Sequence, residues 1–257
     1  YCLTEPDSGS DSAALKTKAK RTNEGFRING TKSFISGGAF SDIYLTMVRT
    51  GDNGPHGISA LLVEKNSEGL SFGSNEEKMG WKSQPTAQVI FEDCSISSKQ
   101  LLGEENKGFI YAMRGLDGGR LNIAAAALGG AQTALNIAKE YIKERKAFGK
   151  KLTDFQGLRF KVADMEIAIN SSRVFLREAA WKLDNESSDA SLYCAMAKKY
   201  VTDSAFNIAN NSLQLLGGYG YLTDYGIEKI VRDLRVHQIL EGTNEIMQLI
   251  IARDSLK

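Results

Sequence analysis

The residues most able to do chemistry cluster between Val236 and Glu245, in the run Val-His-Gln-Ile-Leu-Glu-Gly-Thr-Asn-Glu. Glu241 follows two large aliphatic side chains, Ile239 and Leu240, and precedes Gly242 and Thr243. A carboxylate held among apolar groups loses hydration, which penalises its charged form and lifts its pKa from about 4.3 toward neutrality. That adjustment suits a general base, which must take a proton and hold it. Gly242 removes a side chain next door, so a substrate or the chain's own backbone can come close. The plainer alternative is a buried helix that ends at Ile-Leu, with Glu-Gly-Thr-Asn as its solvated last turn. This stretch alone does not decide between the two.

Four other groups are candidates. Thr4-Glu5-Pro6-Asp7-Ser8-Gly9-Ser10-Asp11 is rich in hydroxyls and turn formers, whose amides and hydroxyls could hold a pyrophosphate or the polar edge of a heterocycle. An ordinary turn is the plainer reading of the same loop, and it is no dinucleotide fingerprint, because Gly9 stands alone. Arg145-Lys146-Ala147-Phe148-Gly149 offers an Arg fork for phosphate and an aromatic ring for a heterocycle. Cations at the end of a helix are also explained by its dipole. Asp117 and Arg120 lie three apart and flank Gly118 and Gly119. The pair alone is worth tenths of a kcal/mol on a helix surface. Two glycines inside a helix cost roughly 1 kcal/mol each against Ala, which suggests close approach by something else. Gln214-Leu215-Leu216-Gly217-Gly218-Tyr219-Gly220 can be a helix stop and nothing more.

Composition narrows the classes. The chain has 257 residues, 42% of them hydrophobic and 25% charged, with a net charge of +1, so any basic cluster acts locally and neither nucleic acid nor an acidic membrane is indicated. Cys2, Cys94 and Cys194 are scattered and odd in number, which reads as free thiols in a reducing compartment. With only His56 and His237 available, a metal site is not expected. No apolar run approaches the roughly 20 residues that span a bilayer. His237 reads as a packed residue, and Trp81 and Trp181 as core or interface aromatics. Tyr1-Cys2-Leu3-Thr4 shows neither Met nor a targeting segment, so the chain is expected to begin inside a longer protein.

The elements that must position these groups change character once. Residues 1–102 read as β: Leu15 to Lys20 alternates, Gly25 to Gly30 alternates and closes on an Asn-Gly hairpin signal, and Lys32–Ser36, Ile43–Arg49, Ile58–Glu64 and Ala87–Glu92 are further strands. An antiparallel sandwich or open barrel is expected. Residues 103–257 read as helices over Phe109–Arg145, Asp154–Leu183, Ser191–Leu216, Asp224–Leu240 and Asn244–Ser255, the last capped by Thr243. In the second of them Leu158, Val162, Met165, Ile169, Leu176, Ala179 and Leu183 share one face. The whole is an α+β chain, a β domain followed by an antiparallel helical bundle.

Taken together, Tyr1 to Pro6 through Gly9-Ser10-Asp11, Arg145-Lys146-x-Phe148-Gly149, Gln214-x-x-Gly217-Gly218-x-Gly220, Arg232-Asp233 and Glu241-Gly242-Thr243 resemble the acyl-CoA dehydrogenases in order and spacing. Leu116 to Arg120, Gly80 to Thr86 and His237 to Gly242 most resemble the isobutyryl-CoA branch of that family. The resemblance implies a middle β domain, a C-terminal helical domain and FAD bound between them. It also implies a homotetramer in which one subunit completes its neighbour's flavin site. By position it assigns Cys2, Leu3, Thr4, Gly9, Ser10, Phe34, Ile35 and Ser36 to the flavin, with Thr243 and Glu245 from the loop of the base. Arg145, Phe148, Gln156, Gln214 and Gly218 would reach a neighbour's FAD, and Ser10, Asp117, Arg120 and Gly242 would face acyl-CoA. Glu241 matches the base. Some members, the isovaleryl enzyme among them, carry the base on the helix of Asp117 and Arg120, where this chain has Gly119.

The implied reaction is α,β-dehydrogenation of a short, branched acyl-CoA, in the breakdown of branched-chain amino acids. Electrons would pass to electron-transfer flavoprotein. A ribityl hydroxyl and the N–H of the base would steady the thioester oxygen. The compartment would be the mitochondrial matrix in a eukaryote or the cytoplasm in a bacterium. The resemblance also implies a helical domain ahead of the position of Tyr1, a wall of the active site that residues 1–257 do not themselves supply. A module that binds FAD or oligomerises without turnover is therefore the alternative, beside another short-chain acyl-CoA dehydrogenase. An oxidase that uses oxygen fits the length and spacing less well.

Overall fold

The computed structural model describes residues 1–257. By packing, the chain divides into two compact units: residues 1–78 with 82–115, and residues 79–81 with 116–257. The expected division at 102–103 falls in the loop before a long helix, whereas packing divides the chain inside that helix.

The first unit is a six-stranded sheet of β1 (Lys18–Arg21), β2 (Gly25–Ser36), β3 (Ile43–Arg49), β4 (Ile58–Glu64), β5 (Leu70–Phe72) and β6 (Thr86–Ser97). Its order is β4-β3-β1-β2-β6-β5, and every neighbouring pair is antiparallel except the short β1–β3 pairing. Alternation does the work expected of it. Along β6 Ala87, Val89 and Phe91 turn inward, and Val89 and Phe91 pack with Phe26, Ile28, Tyr44, Val48, Leu61 and Val63. Leu15, Thr17 and Ala19 are buried and Lys16, Lys18 and Lys20 exposed, although only Lys18–Arg21 joins the ladder. Asn29-Gly30 corrects an expectation: it makes no hairpin but lies within β2, at a register shift opposite β6. The Asn29 side chain binds Asp93 across that irregularity, accepting its N–H at 2.9 Å and donating to its carboxylate at 3.0 Å.

In the second unit the part of α1 (Gly108–Glu144) from Leu116 onward leads into a two-residue ribbon, β7 (Lys146–Ala147) and β8 (Lys150–Lys151), then α2 (Gln156–Asp184), α3 (Ala190–Leu216), α4 (Ile227–Arg235) and α5 (Asn244–Ser255). The turn of the ribbon is Phe148-Gly149, both at positive φ (53° and 81°), the twist a two-residue hairpin needs. Helix α3 is the centre. Ala205, Ile208, Ala209 and Leu216 pack with Ala127, Ala131 and Leu135 of α1 and with Met165 and Ile169 of α2. The predicted apolar face of α2 is the one that packs. Its other side carries a feature the periodicity argument passed over: Phe160, Ile167, Val174 and Trp181, seven residues apart, are all exposed. The expected helix over 224–240 is shorter than its pattern, because Gly226 at φ 66° starts it late and a tighter turn over Val236–Gln238 follows Arg235. Thr243 caps α5, its hydroxyl accepting the Ile246 N–H at 3.3 Å.

The three cysteines are free and buried. No helix is long and apolar enough to cross a membrane, and no cluster of His, Cys, Asp and Glu could hold a metal ion.

Candidate active site

Glu241 occupies the turn between the end of α4 and the start of α5. Its backbone is left-handed at φ 56°, and Gly242 follows at φ 81°. Two successive residues in that region are rare outside glycine, and such strain persists only where the surroundings enforce it. The side chain is half-buried, and no hydrogen bond from the chain reaches its carboxylate or uses its own N–H. Burial raises its pKa, opposed by the nearby Arg120 guanidinium and Lys198 ammonium, and burial prevails.

The expected direction therefore holds, but its source differs. Ile239, taken from the sequence as part of the apolar surround, is 52% exposed. What closes over the carboxylate is α1: a Cβ built on Gly119 would run into Glu241 Oε2. The absence of a side chain at 119 makes the room that the carboxylate fills. Gly242 also has a use beyond close approach, since a Cβ there would stand 2.7 Å from Met247 Cε.

Arg120 and Asp117 form an ion pair at 2.7 Å, and Ser191 of α3 donates to the other Asp117 oxygen. Sequence spacing suggested an ordinary surface pair; both side chains are in fact largely buried. Arg120 Nε has no partner within the chain, a buried donor left over. Lys198, on the buried face of α3, donates to the Gly242 carbonyl at 2.7 Å and to Asn244 Oδ1 at 2.8 Å. No motif pointed to Lys198; the available signal was a single lysine on an otherwise apolar and small-residue face.

A second group assembles elsewhere in the helical unit. Arg145, Gln214, Gly217 and Gly218 line an open cavity of about 840 Å³ with Tyr141, Lys161 and Tyr219. The Arg145 guanidinium lies over the Tyr219 ring at 5.6 Å and pairs with no carboxylate. Phe148 is 93% exposed at the tip of the β7–β8 turn, and it and Gln156 lie outside the cavity lining. Glu245 is exposed on the first turn of α5, while Thr243 uses its hydroxyl as the cap.

In the sheet unit the candidate residues part company. Gly9, Ser10, Phe34 and Ser36 are exposed and Thr4 is half-buried, with Phe34 at φ 57° holding its ring outward. Leu3 and Ile35 point into the unit instead. Cys2 is fully buried, its N–H donates to the Leu45 carbonyl at 2.8 Å, and its own carbonyl accepts the Met47 N–H at 3.0 Å.

This α+β architecture, with a strained and half-buried glutamate against a helix glycine, defines the class. The C-terminal domain model of the acyl-CoA dehydrogenases matches residues 106–256 and the middle-domain model residues 1–94. The chain belongs to the acyl-CoA dehydrogenase family, whose members are FAD flavoproteins.

Among particular relatives, it is 51% identical over its whole length to the mitochondrial isobutyryl-CoA dehydrogenase of Bos taurus and 52% to that of Dictyostelium discoideum. It spans 62% of the length of each. The structure of butyryl-CoA dehydrogenase from Megasphaera elsdenii superimposes with a TM-score of 0.97 at 39% identity, covering all of this chain and 67% of that one.

Proposed function

We propose that this chain carries the base and part of the flavin site of an enzyme that removes two hydrogens, from Cα and Cβ, of a short, α-branched acyl-CoA such as isobutyryl-CoA. The observation that carries this reading is the Glu241 carboxylate: half-buried, free of internal donors, with its proton affinity raised. It takes the α-proton of the thioester. Its unused N–H is available to the developing enolate oxygen, where a preorganised donor is most effective. Arg120 and Lys198 keep positive charge near the carboxylate, so that the base remains ionised enough to act.

The residues present fit FAD. An unpaired Arg145 beside Gly217-Gly218 and an aromatic wall is suited to an anionic pyrophosphate. Arg145, Gln214 and Gly218 would hold that part of a neighbouring subunit's FAD, whereas Thr4, Ser10, Phe34 and Ser36 would serve the flavin of their own subunit. When bound, the flavin supplies the acceptor for the β-hydride, and electron-transfer flavoprotein is the onward acceptor. The exposed row of Phe160, Ile167, Val174 and Trp181 on α2 supports self-association, because a line of large apolar side chains left in water favours a partner that covers it. A homotetramer is our reading. The compartment would be the mitochondrial matrix in a eukaryote, as for the two isobutyryl-CoA dehydrogenases, or the cytoplasm in a bacterium.

The test is anaerobic addition of isobutyryl, 2-methylbutyryl, butyryl and isovaleryl-CoA to the full-length, flavin-loaded protein. Bleaching of the flavin, strongest with isobutyryl-CoA, is expected. A yellow protein that no acyl-CoA bleaches would instead be a binding module, and peroxide formed in air would mark an oxidase.

A further inference from the structure

We propose that Lys198 is a positioning residue for Glu241: its ammonium ties the turn of the base to α3 and holds a fixed cation near the carboxylate. The inference rests on Glu241 being the base.

The geometry is specific. Lys198 is fully buried, which is rare for lysine unless its charge is met. Its ammonium meets the carbonyl of Gly242, the residue directly after the base, and the side-chain oxygen of Asn244, the first residue of α5. Asn244 is fastened in turn. Its Nδ2 donates to Thr202 Oγ1 at 3.0 Å and to Asp203 Oδ1 at 2.7 Å, and Thr202 donates to the Lys198 carbonyl at 2.8 Å. Gln238, at the end of the tight turn that follows α4, also donates to Asp203 Oδ1 at 2.7 Å. One turn of α3 thus grips the chain on both sides of Glu241, at 238 and at 242–244. That grip serves Glu241, whose left-handed φ of 56° is not favoured locally for a residue with a side chain.

The second half of the proposal concerns charge. The groups that act on Lys198 are Asp203 from its own helix, Glu241 and Glu245 from the turn and α5, and Arg120 from α1. His237 lies near it and is neutral above about 4, because burial and Lys198 both push its pKa down. Burial lowers Lys198 itself to about 8, against the pull of Asp203 and Glu241. At neutral pH the ammonium is charged and favours the carboxylate form of Glu241; above about 8 that help fades.

The test compares the full-length flavoprotein with Lys198→Met, which keeps the chain and loses the ammonium, and Lys198→Gln, which keeps a donor without charge. Flavin content and circular dichroism establish folding. If the Met variant does not fold, the Gln variant carries the comparison. The first readout needs no substrate: isotope-edited infrared titration of the Glu241 carboxyl, assigned by its loss in Glu241→Gln. An apparent pKa higher by about one is expected in both variants, since that is the scale on which a nearby opposite charge acts. The second readout is turnover. In Lys198→Met kcat falls more than tenfold with KM within threefold, Lys198→Gln recovers part of the loss, and the deficit narrows above pH 8. A folded variant whose Glu241 titrates as in the parent and turns over within twofold overturns the proposal. Full turnover by Glu241→Gln would overturn the base assignment instead, and the infrared titration would still report on Lys198.

Discussion

Glu5 of the sheet unit accepts hydrogen bonds from the Lys16 N–H (2.5 Å), the Thr17 N–H (2.9 Å) and the Lys32 ammonium (2.8 Å), whereas no donor in the chain reaches the carboxylate of Glu241. Both side chains are removed from water to a large extent, and burial pushes both toward protonation. For Glu5 the Lys32 charge and the donated bonds reverse that push and hold the carboxyl below its usual range. For Glu241 Arg120 and Lys198 stand near without donating to it, and the carboxyl stays above its usual range. The difference separates a charge that is satisfied from one that is still available. A satisfied carboxylate ties the opening loop to the sheet; an available one can take a proton.

The sharpest way to break this contrast is to remove each charge in turn. Glu241→Gln should lower turnover of isobutyryl-CoA by about 10²–10⁴-fold, the usual contribution of a general base, in steady-state assays of the full-length protein. Bound flavin and the unfolding midpoint should remain as they were, because the carboxylate makes no internal bond that Gln would lose. In the parent, kcat/KM should rise with pH through an ionisation above the ordinary glutamate value, since only the deprotonated form accepts the proton. Glu5→Gln should do the opposite. It leaves the fully buried Lys32 without its counter-charge, and breaking a buried pair in this way destabilises by roughly 3–5 kcal/mol. Denaturant unfolding would record that loss, with the infrared signature of Glu241 unchanged.

This contrast also marks what could be read before the fold was in hand. The β-then-α order, the strands Ile43–Arg49 and Ile58–Glu64, the inward face of α2 and the Thr243 cap follow from periodicity and capping, which are local. Asn29-Gly30 misled because a hairpin signal is also local, while a bulge is decided by the partner strand. Glu241 was legible through its neighbours, but its actual surround comes from Gly119, more than a hundred residues earlier. Lys198, the Arg120 Nε left without a partner and the cavity around Arg145 arise only when helices pack, so no window of sequence contains them.

A third buried titratable group lies between the two carboxylates in behaviour. His237 is 1% exposed, its ring packs edge-on against Trp81 at 4.5 Å, and neither ring nitrogen has a partner. Burial pushes its pKa down to about 4 from 6.5. The unfolded chain therefore binds a proton that the folded chain refuses. The stability from this group is complete above about 6.5 and is lost as pH falls through about 4. By linkage the loss is about 2 kcal/mol at pH 5. His237→Phe should remove that acid sensitivity, so urea unfolding at pH 7.5 and pH 5 should differ less in the variant than in the parent by this amount. An equal acid loss in both proteins would mean that His237 is protonated in the folded state.

The smallest expected effect is also the most local. Gly119 and Gly118 are adjacent on α1, yet a Cβ on Gly119 runs into the Glu241 carboxylate while one on Gly118 meets nothing within 4 Å. Either change to Ala should gain up to about 1 kcal/mol in helix propensity. Gly118→Ala should show that gain in thermal unfolding with kcat close to the parent. Gly119→Ala must displace the carboxylate, and misplacing a reacting group by a fraction of an ångström to 1 Å is enough to lower turnover by about tenfold or more. Its apparent pKa should move as well, because the surround of the carboxyl changes. Equal kcat in the two variants would mean that Glu241 has room to adjust and that α1 does not set its position.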